Sequence, residues 1–85
     1  MGKITNYSPT FPMFPGGAAT VTTSDTVNLP TPGVIYVGVG GNVRVLTAQG
    51  DDVTFNGVVA GTVLPVQVIR VFTTNTTATS LVRIY

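Results

Sequence analysis

Asp51 and Asp52 are adjacent carboxylates, and Asp25 is the only other acidic residue in the chain. Two carboxylates can share general acid and general base work when their surroundings push their pKa values apart. These two follow Gln49-Gly50 in a turn-forming stretch, where aspartates satisfy nearby backbone groups more readily than they converge on a substrate. The chain has no histidine and no cysteine. A Ser-His-Asp triad and thiolate metal sites are therefore excluded, and the commonest general base and zinc ligand are missing. A Ser–Lys pair would have to recruit Lys3 from the N-terminal segment. Asp51-Asp52 alone supplies too few oxygens for calcium. Gly38-Val39-Gly40-Gly41-Asn42-Val43 superficially resembles a dinucleotide loop, but its last glycine is missing and a Val-rich strand follows where a helix is needed. The expectation is a protein with no catalytic residues, no cofactor and no metal.

Binding chemistry is equally sparse. Lys3, Arg44, Arg70 and Arg83 are the four basic residues. They form no stripe, so nucleic acid is not an expected partner. The three arginines lie in strand-like runs and can pair with aspartates or with carbonyls at an interface. Asn6-Tyr7-Ser8 and Asn75-Thr76-Thr77 match the glycosylation pattern, and both are expected to be chance matches because MGKITNYSP does not read as a secretory signal.

Composition points to packing as the mode of action. The 85 residues allow one domain, and a core this small usually needs a disulfide, a metal or oligomerisation. Only oligomerisation is left. Charged residues are 8% of the chain and hydrophobic residues 44%, whereas ordinary domains carry about 25% charged residues. Net charge is +1, too low for mutual repulsion. No membrane span is expected, because the most apolar region, 58–72, is interrupted by Gly61, Pro65, Gln67 and Arg70.

The elements follow from β-branched runs and turn residues. Residues 1–17, with Pro9, Pro12, Pro15, Gly16 and Gly17, read as an extended arm. Residues 18–85 read as an all-β domain with strands at 18–24, 34–39, 43–48, 52–56, 63–73 and 80–85. Gly40-Gly41-Asn42 and Gln49-Gly50-Asp51 read as tight hairpins, and Asn56-Gly57 as a favoured turn dipeptide opening a longer loop. The expected fold is a small antiparallel β-sandwich or jelly-roll-like barrel of about six strands. Runs 34–39 and 63–73 are apolar at both parities, so both faces should be covered, the second by a neighbouring subunit or by the chain's own loop or arm.

The segment from about residue 22 onward resembles the small head-spike base proteins of gene transfer agents and related capsid decoration proteins of tailed bacteriophages. The resemblance is carried by Ser24-Asp25 with Leu29, Tyr36-Val37-Gly38 then Gly41-Asn42-Val43, and Val53-Thr54-Phe55. It continues through Gly61, Leu64-Pro65-Val66, Arg70-Val71, Thr76-Thr77-Ala78-Thr79 and Tyr85. It implies a non-enzymatic virion protein on the capsid exterior that self-associates and contacts the major capsid protein. A homopentamer at fivefold vertices and a homotrimer of a cement protein both stay open, as does an attached spike or fibre. Asn75 stands where relatives often have glycine, which a left-handed turn tolerates.

The expected interface residues are Phe11, Pro12, Met13 and Phe14 on the arm, with Tyr36, Arg70, Phe72, Arg83 and Tyr85 on the domain. Burying each Phe or Met side chain is worth about 1.5–3 kcal/mol, which suits the arm to docking on another subunit. The competing expectation is that Phe11 and Phe14 fold back on their own sandwich. The Thr-rich stretch 73–80 reads as a solvent-facing tip or a plain connection whose hydroxyls bond their own backbone. A carbohydrate- or host-binding module using Tyr7, Tyr36 and Tyr85 is the alternative function.

Overall fold

The computed structural model describes residues 15–85. Among them are six strands and no helix, as the Val- and Thr-rich composition predicts. The strands are β1 (Ala18–Thr20), β2 (Gly33–Val39), β3 (Gly41–Thr47), β4 (Asp52–Val58), β5 (Thr62–Val71) and β6 (Thr79–Ile84). They form one antiparallel sheet in the order β1-β6-β2-β5-β3-β4. The expected all-β architecture of about six strands is what the chain adopts.

The long strand β5 organises the sheet. Its first part pairs with β2, from Val37↔Thr62 to Gly33↔Val68. Its last part pairs with β3, from Thr47↔Val68 to Val45↔Val71. Ile69 is the extra residue of a bulge there, because one step along β3 matches two along β5. A bulge shifts side-chain parity by one residue. Leu64 and Val68 therefore point inward on one parity and Val71 on the other, and all three are buried. Ile35 and Val37 of β2, Val43 and Val45 of β3, and Leu81 of β6 complete a single core cluster with them. Strands that are not sheet neighbours share this core, so the sheet wraps around it.

The edge of β5 beyond Val68 does not stay open. Segment 24–29 takes the place of β2, with Leu29 N–H donating to Ile69 O at 2.7 Å and Ser24 N–H to Val71 O at 2.9 Å. On β3, the stretch after β5 continues the pairing: Phe72 N–H donates to Arg44 O at 2.9 Å and Thr77 N–H to Asn42 O at 2.8 Å.

Three local readings are corrected by this topology. Gly40-Gly41-Asn42 is not a hairpin, because β2 and β3 are separated in the sheet by β5. It is a corner where backbones nearly touch: a Cβ on Gly40 would lie 2.7 Å from Val58 O, and one on Gly41 2.7 Å from Ala78 N. Asn56-Gly57 lies inside β4 as a bulge, between the pairs Gly41↔Val58 and Val43↔Phe55. The Thr-rich stretch faces solvent as expected, with Thr73, Thr74, Asn75 and Thr77 exposed, but it is not a free tip and its hydroxyls do not serve only their own backbone. Thr77 Oγ1 accepts from Asn42 N–H at 2.8 Å and Thr76 Oγ1 from Arg44 N–H at 3.0 Å, which ties the stretch to β3. Gln49-Gly50-Asp51 does form the expected hairpin between β3 and β4, and Asn75 takes the left-handed turn with φ 69°.

Ile35 sits at the centre of this arrangement, opposite Leu64 on one side and Arg83 on the other. Ile35→Ala should destabilise the domain by about 2–5 kcal/mol, whereas Val39→Ala on the exposed end of β2 should stay within about 0.5 kcal/mol. Urea unfolding followed by circular dichroism measures both.

Candidate functional site

Arg44, Asp52 and Arg70 gather on the outward face of β3, β4 and the end of β5. Leu46 stands opposite both Asp52 and Arg70, so Arg44, on the same parity of β3, shares their face. Arg44 grips Asp52 with two parallel bonds, Nε to Oδ1 at 3.0 Å and Nη2 to Oδ2 at 2.8 Å. Its guanidinium also lies 4.1 Å from the centre of the Phe72 ring, and that of Arg70 lies 5.4 Å from the same ring. Phe72 is buried yet absent from the hydrophobic core cluster, and the two guanidinium groups cover it. Arg70 is held by Nε donating to Asn28 Oδ1 at 2.9 Å and Nη1 to Asp25 O at 3.4 Å.

Asp25 clamps the far end of β5. Its Oδ1 accepts from the N–H groups of Thr73 and Thr74 at 3.0 Å each, and its Oδ2 accepts from Thr74 Oγ1 at 2.7 Å. Such bonds favour the ionised form, and the Thr74 backbone N–H and hydroxyl lead in holding Asp25 below its ordinary value of 3.8. The Arg44 hydrogen bond does the same for Asp52 and raises Arg44 in turn. Asp51 turns away from Asp52 and meets Thr47, whose Oγ1 accepts from Asp51 N–H at 3.1 Å. The adjacent carboxylates thus serve two different partners.

Arg83 and Tyr85 form a second arginine–aromatic stack at the other end. Arg83 faces inward between Ala19 of β1 and Ile35 of β2, and only 6% of it is exposed. Its Nη1 donates to both Thr31 O and Thr31 Oγ1 at 2.8 Å. Its guanidinium lies 4.2 Å from the centre of the Tyr85 ring. Glycine makes room on both sides: a Cβ on Gly33 would lie 2.6 Å from Arg83 Cγ, and one on Gly17 2.8 Å from Tyr85 Cε2. Gly17 and Tyr85 also exchange backbone bonds of 2.8 and 3.0 Å.

Tyr36 lies apart from both stacks. Its cross-strand partners are Val63 and Val82, and the same outward face carries Val34, Ile84, Ala18 and Thr20. Tyr36 is 37% exposed and Val63 46%. Among the described residues this face holds no charged side chain, since Arg83 points to the opposite side and Arg70 lies past the Ile69 bulge.

Of the sequence-derived interface residues, Arg70 with Phe72 and Arg83 with Tyr85 are brought together in pairs, and Tyr36 stands on the uncharged face. Phe11, Pro12, Met13 and Phe14 lie outside the described residues. Sequence reasoning did not single out Asp25, Asn28 or Thr31 as anchors. Their partners are 42 to 52 residues away in the chain, and no local pattern signals such a link.

The two depressed carboxylates set an acid limit. The unfolded chain binds protons at Asp25 and Asp52 that the folded chain refuses, so stability rises with pH through that window. Their contribution is complete above the ordinary value of 3.8 and is lost as the pH falls towards the folded-state values. Thermal melts should therefore show a melting temperature that drops below about pH 4, and a D25N/D52N double variant should show a flatter drop.

No protein-family model and no curated protein matches the chain. Among solved structures, the chain is similar to one in the "Capsid of native GTA particle computed with C5 symmetry", with a TM-score of 0.82 and 28% identity over 100% of both chains.

Proposed function

We propose that this chain is a structural protein of a tailed-phage or gene transfer agent virion, a spike-base or decoration subunit on the capsid exterior that works without catalysis. The carrying observation is the full-length likeness to a chain of a gene transfer agent capsid, at 28% identity. The uncharged face built on Val34, Tyr36, Val63, Val82 and Ile84 supports the reading, because a face without charges loses little solvation when another subunit covers it. Residues 18–85 form the body under this reading. Residues 1–17 are the arm, and Phe11, Pro12, Met13 and Phe14 anchor it on a neighbour. Tyr36 and Tyr85 are the aromatic contacts of the body. Arg70 with Phe72 and Arg83 hold the surfaces that carry these contacts. The partners are further copies of the chain, the major capsid protein, and a spike or fibre protein on the outer side.

Light scattering on the purified chain tests self-association. A trimer or a pentamer supports the proposal and selects threefold or fivefold capsid positions. Y36D and V63D should each shift the chain to monomer with an unchanged circular dichroism spectrum, and each should lower its copy number on particles at least about tenfold. A wild-type chain that stays monomeric at millimolar concentration, or variants that load particles as well as wild type, would overturn it.

A further inference from the structure

Arg83 is a buried cation with no carboxylate partner among the described residues. Burying an arginine costs several kcal/mol unless it is paired and fully hydrogen-bonded. Among the described residues only Nη1 is bonded, to Thr31. Among the described residues no side-chain nitrogen is both sealed and unpartnered, so Nε and Nη2 each keep some accessible surface. Arg83 lines a groove of about 540 Å³ under segment 20–30, within the usual size of ligand pockets. The rest of the lining offers hydrogen-bond donors and no acid. It includes Thr22 and Asn28, whose Oδ1 is already taken by Arg70 and whose amide N–H groups remain.

The chain shows what this edge of an arginine holds. Arg44 uses the same two atoms, Nε and Nη2, to bind Asp52 side-on. That planar fork matches a carboxylate with two parallel bonds. One guanidinium balances one negative charge, which fits a carboxylate better than a phosphate monoester carrying nearly two. The occupant is not one of the chain's own side-chain carboxylates, because Asp25, Asp51 and Asp52 are already bonded to Thr74, Thr47 and Arg44.

From this geometry we infer that the Arg83 groove receives the carboxylate of an Asp or Glu side chain of a partner polypeptide. The inference rests on the virion reading for the identity of that partner, and on Arg83 alone for the chemistry.

Nitrogen-15 NMR of the full chain, following the Arg83 Nε–H signal, tests the chemistry without any particle. The probes are sodium acetate and a glutamate capped at both backbone ends, with sodium chloride and acetamide as controls at matched ionic strength. A saturable shift with both carboxylates and none with the controls is expected, the capped glutamate binding at least about tenfold more tightly than acetate. No saturable shift, or the same shift with chloride, overturns the site. Equal affinity for acetate and capped glutamate overturns a polypeptide as the source and leaves a free carboxylate. Addition of wild type and R83M to particles lacking the chain separates the two readings. Loss of R83M binding with wild type retained supports the groove, whereas equal binding overturns it and spares the virion reading. If wild type does not bind, the virion reading falls while the NMR result stands. Should R83M fail to fold by circular dichroism, R83K replaces it and should bind at least about tenfold more weakly, because a lysine cannot form the fork.

Discussion

β5 has to satisfy two different neighbours along one strand, and the rest of the fold follows from that demand. Val68 is opposite Gly33 of β2 and also opposite Thr47 of β3. Before Val68 the strand belongs to β2; after it the strand belongs to β3. A flat strand making this exchange would turn Val71 out to solvent. The extra residue at Ile69 turns it in, so a strand of ten residues feeds one core from both halves. With no disulfide available, this continuous packing is what closes so small a sheet. The exchange also leaves one edge of β5 free beyond Val68 and one edge of β3 free before Val45, and segments 24–29 and 72–78 fill them with backbone bonds to β5 and β3 respectively.

Four of the seven charged residues hold or border those two segments. Asp25 fixes the start of the Thr-rich stretch, Arg70 ties segment 25–28 to β5, and Arg44 with Asp52 locks β3 to β4 over Phe72. Side-chain hydroxyls do the same work where charge is absent, as Thr76 and Thr77 do on β3. The charges are thus internal fasteners of one half of the sheet. The other half, built on β1, β6, β2 and the start of β5, is left with an outward face of Val, Ile, Tyr, Ala and Thr. The low charge of the chain and the blandness of this face are one fact seen at two scales.

Strand positions were legible in the sequence because β-branched runs and turn residues act locally. The predicted runs overlap all six strands, and Gly50 marks a true hairpin. Which strands pair was not legible. Gly40-Gly41 looks like a hairpin until β5 is known to separate β2 from β3, and glycine is needed there for close approach to Val58 and Ala78 instead. Asn56-Gly57 has the chemistry of a turn, and a bulge needs the same left-handed residue, Gly57 at φ 65°. The arginines were expected to pair with aspartates or carbonyls, and they do so within the chain. The inward direction of Arg83 was hidden, because it shares parity with the core residue Leu81 and breaks the rule that charge faces water.

That break in the pattern ties the interior to the surface. Gly33 is without a side chain so that the stem of Arg83 can cross β2, and Gly17 is bare so that Tyr85 can lie over β1. Two glycines, one in β2 and one just before β1, thus give up packing around a cation that is stacked on an aromatic ring and, among the described residues, bonded through Nη1 alone. A methionine of similar length would fill that space without the desolvation penalty. A guanidinium that lines a groove and is bonded to Thr31 through Nη1 is what the inferred partner carboxylate would meet. The uncharged face supplies contact area without direction. One oriented charge pair at the sheet end would supply the direction, fixing which way round the subunit sits when it docks.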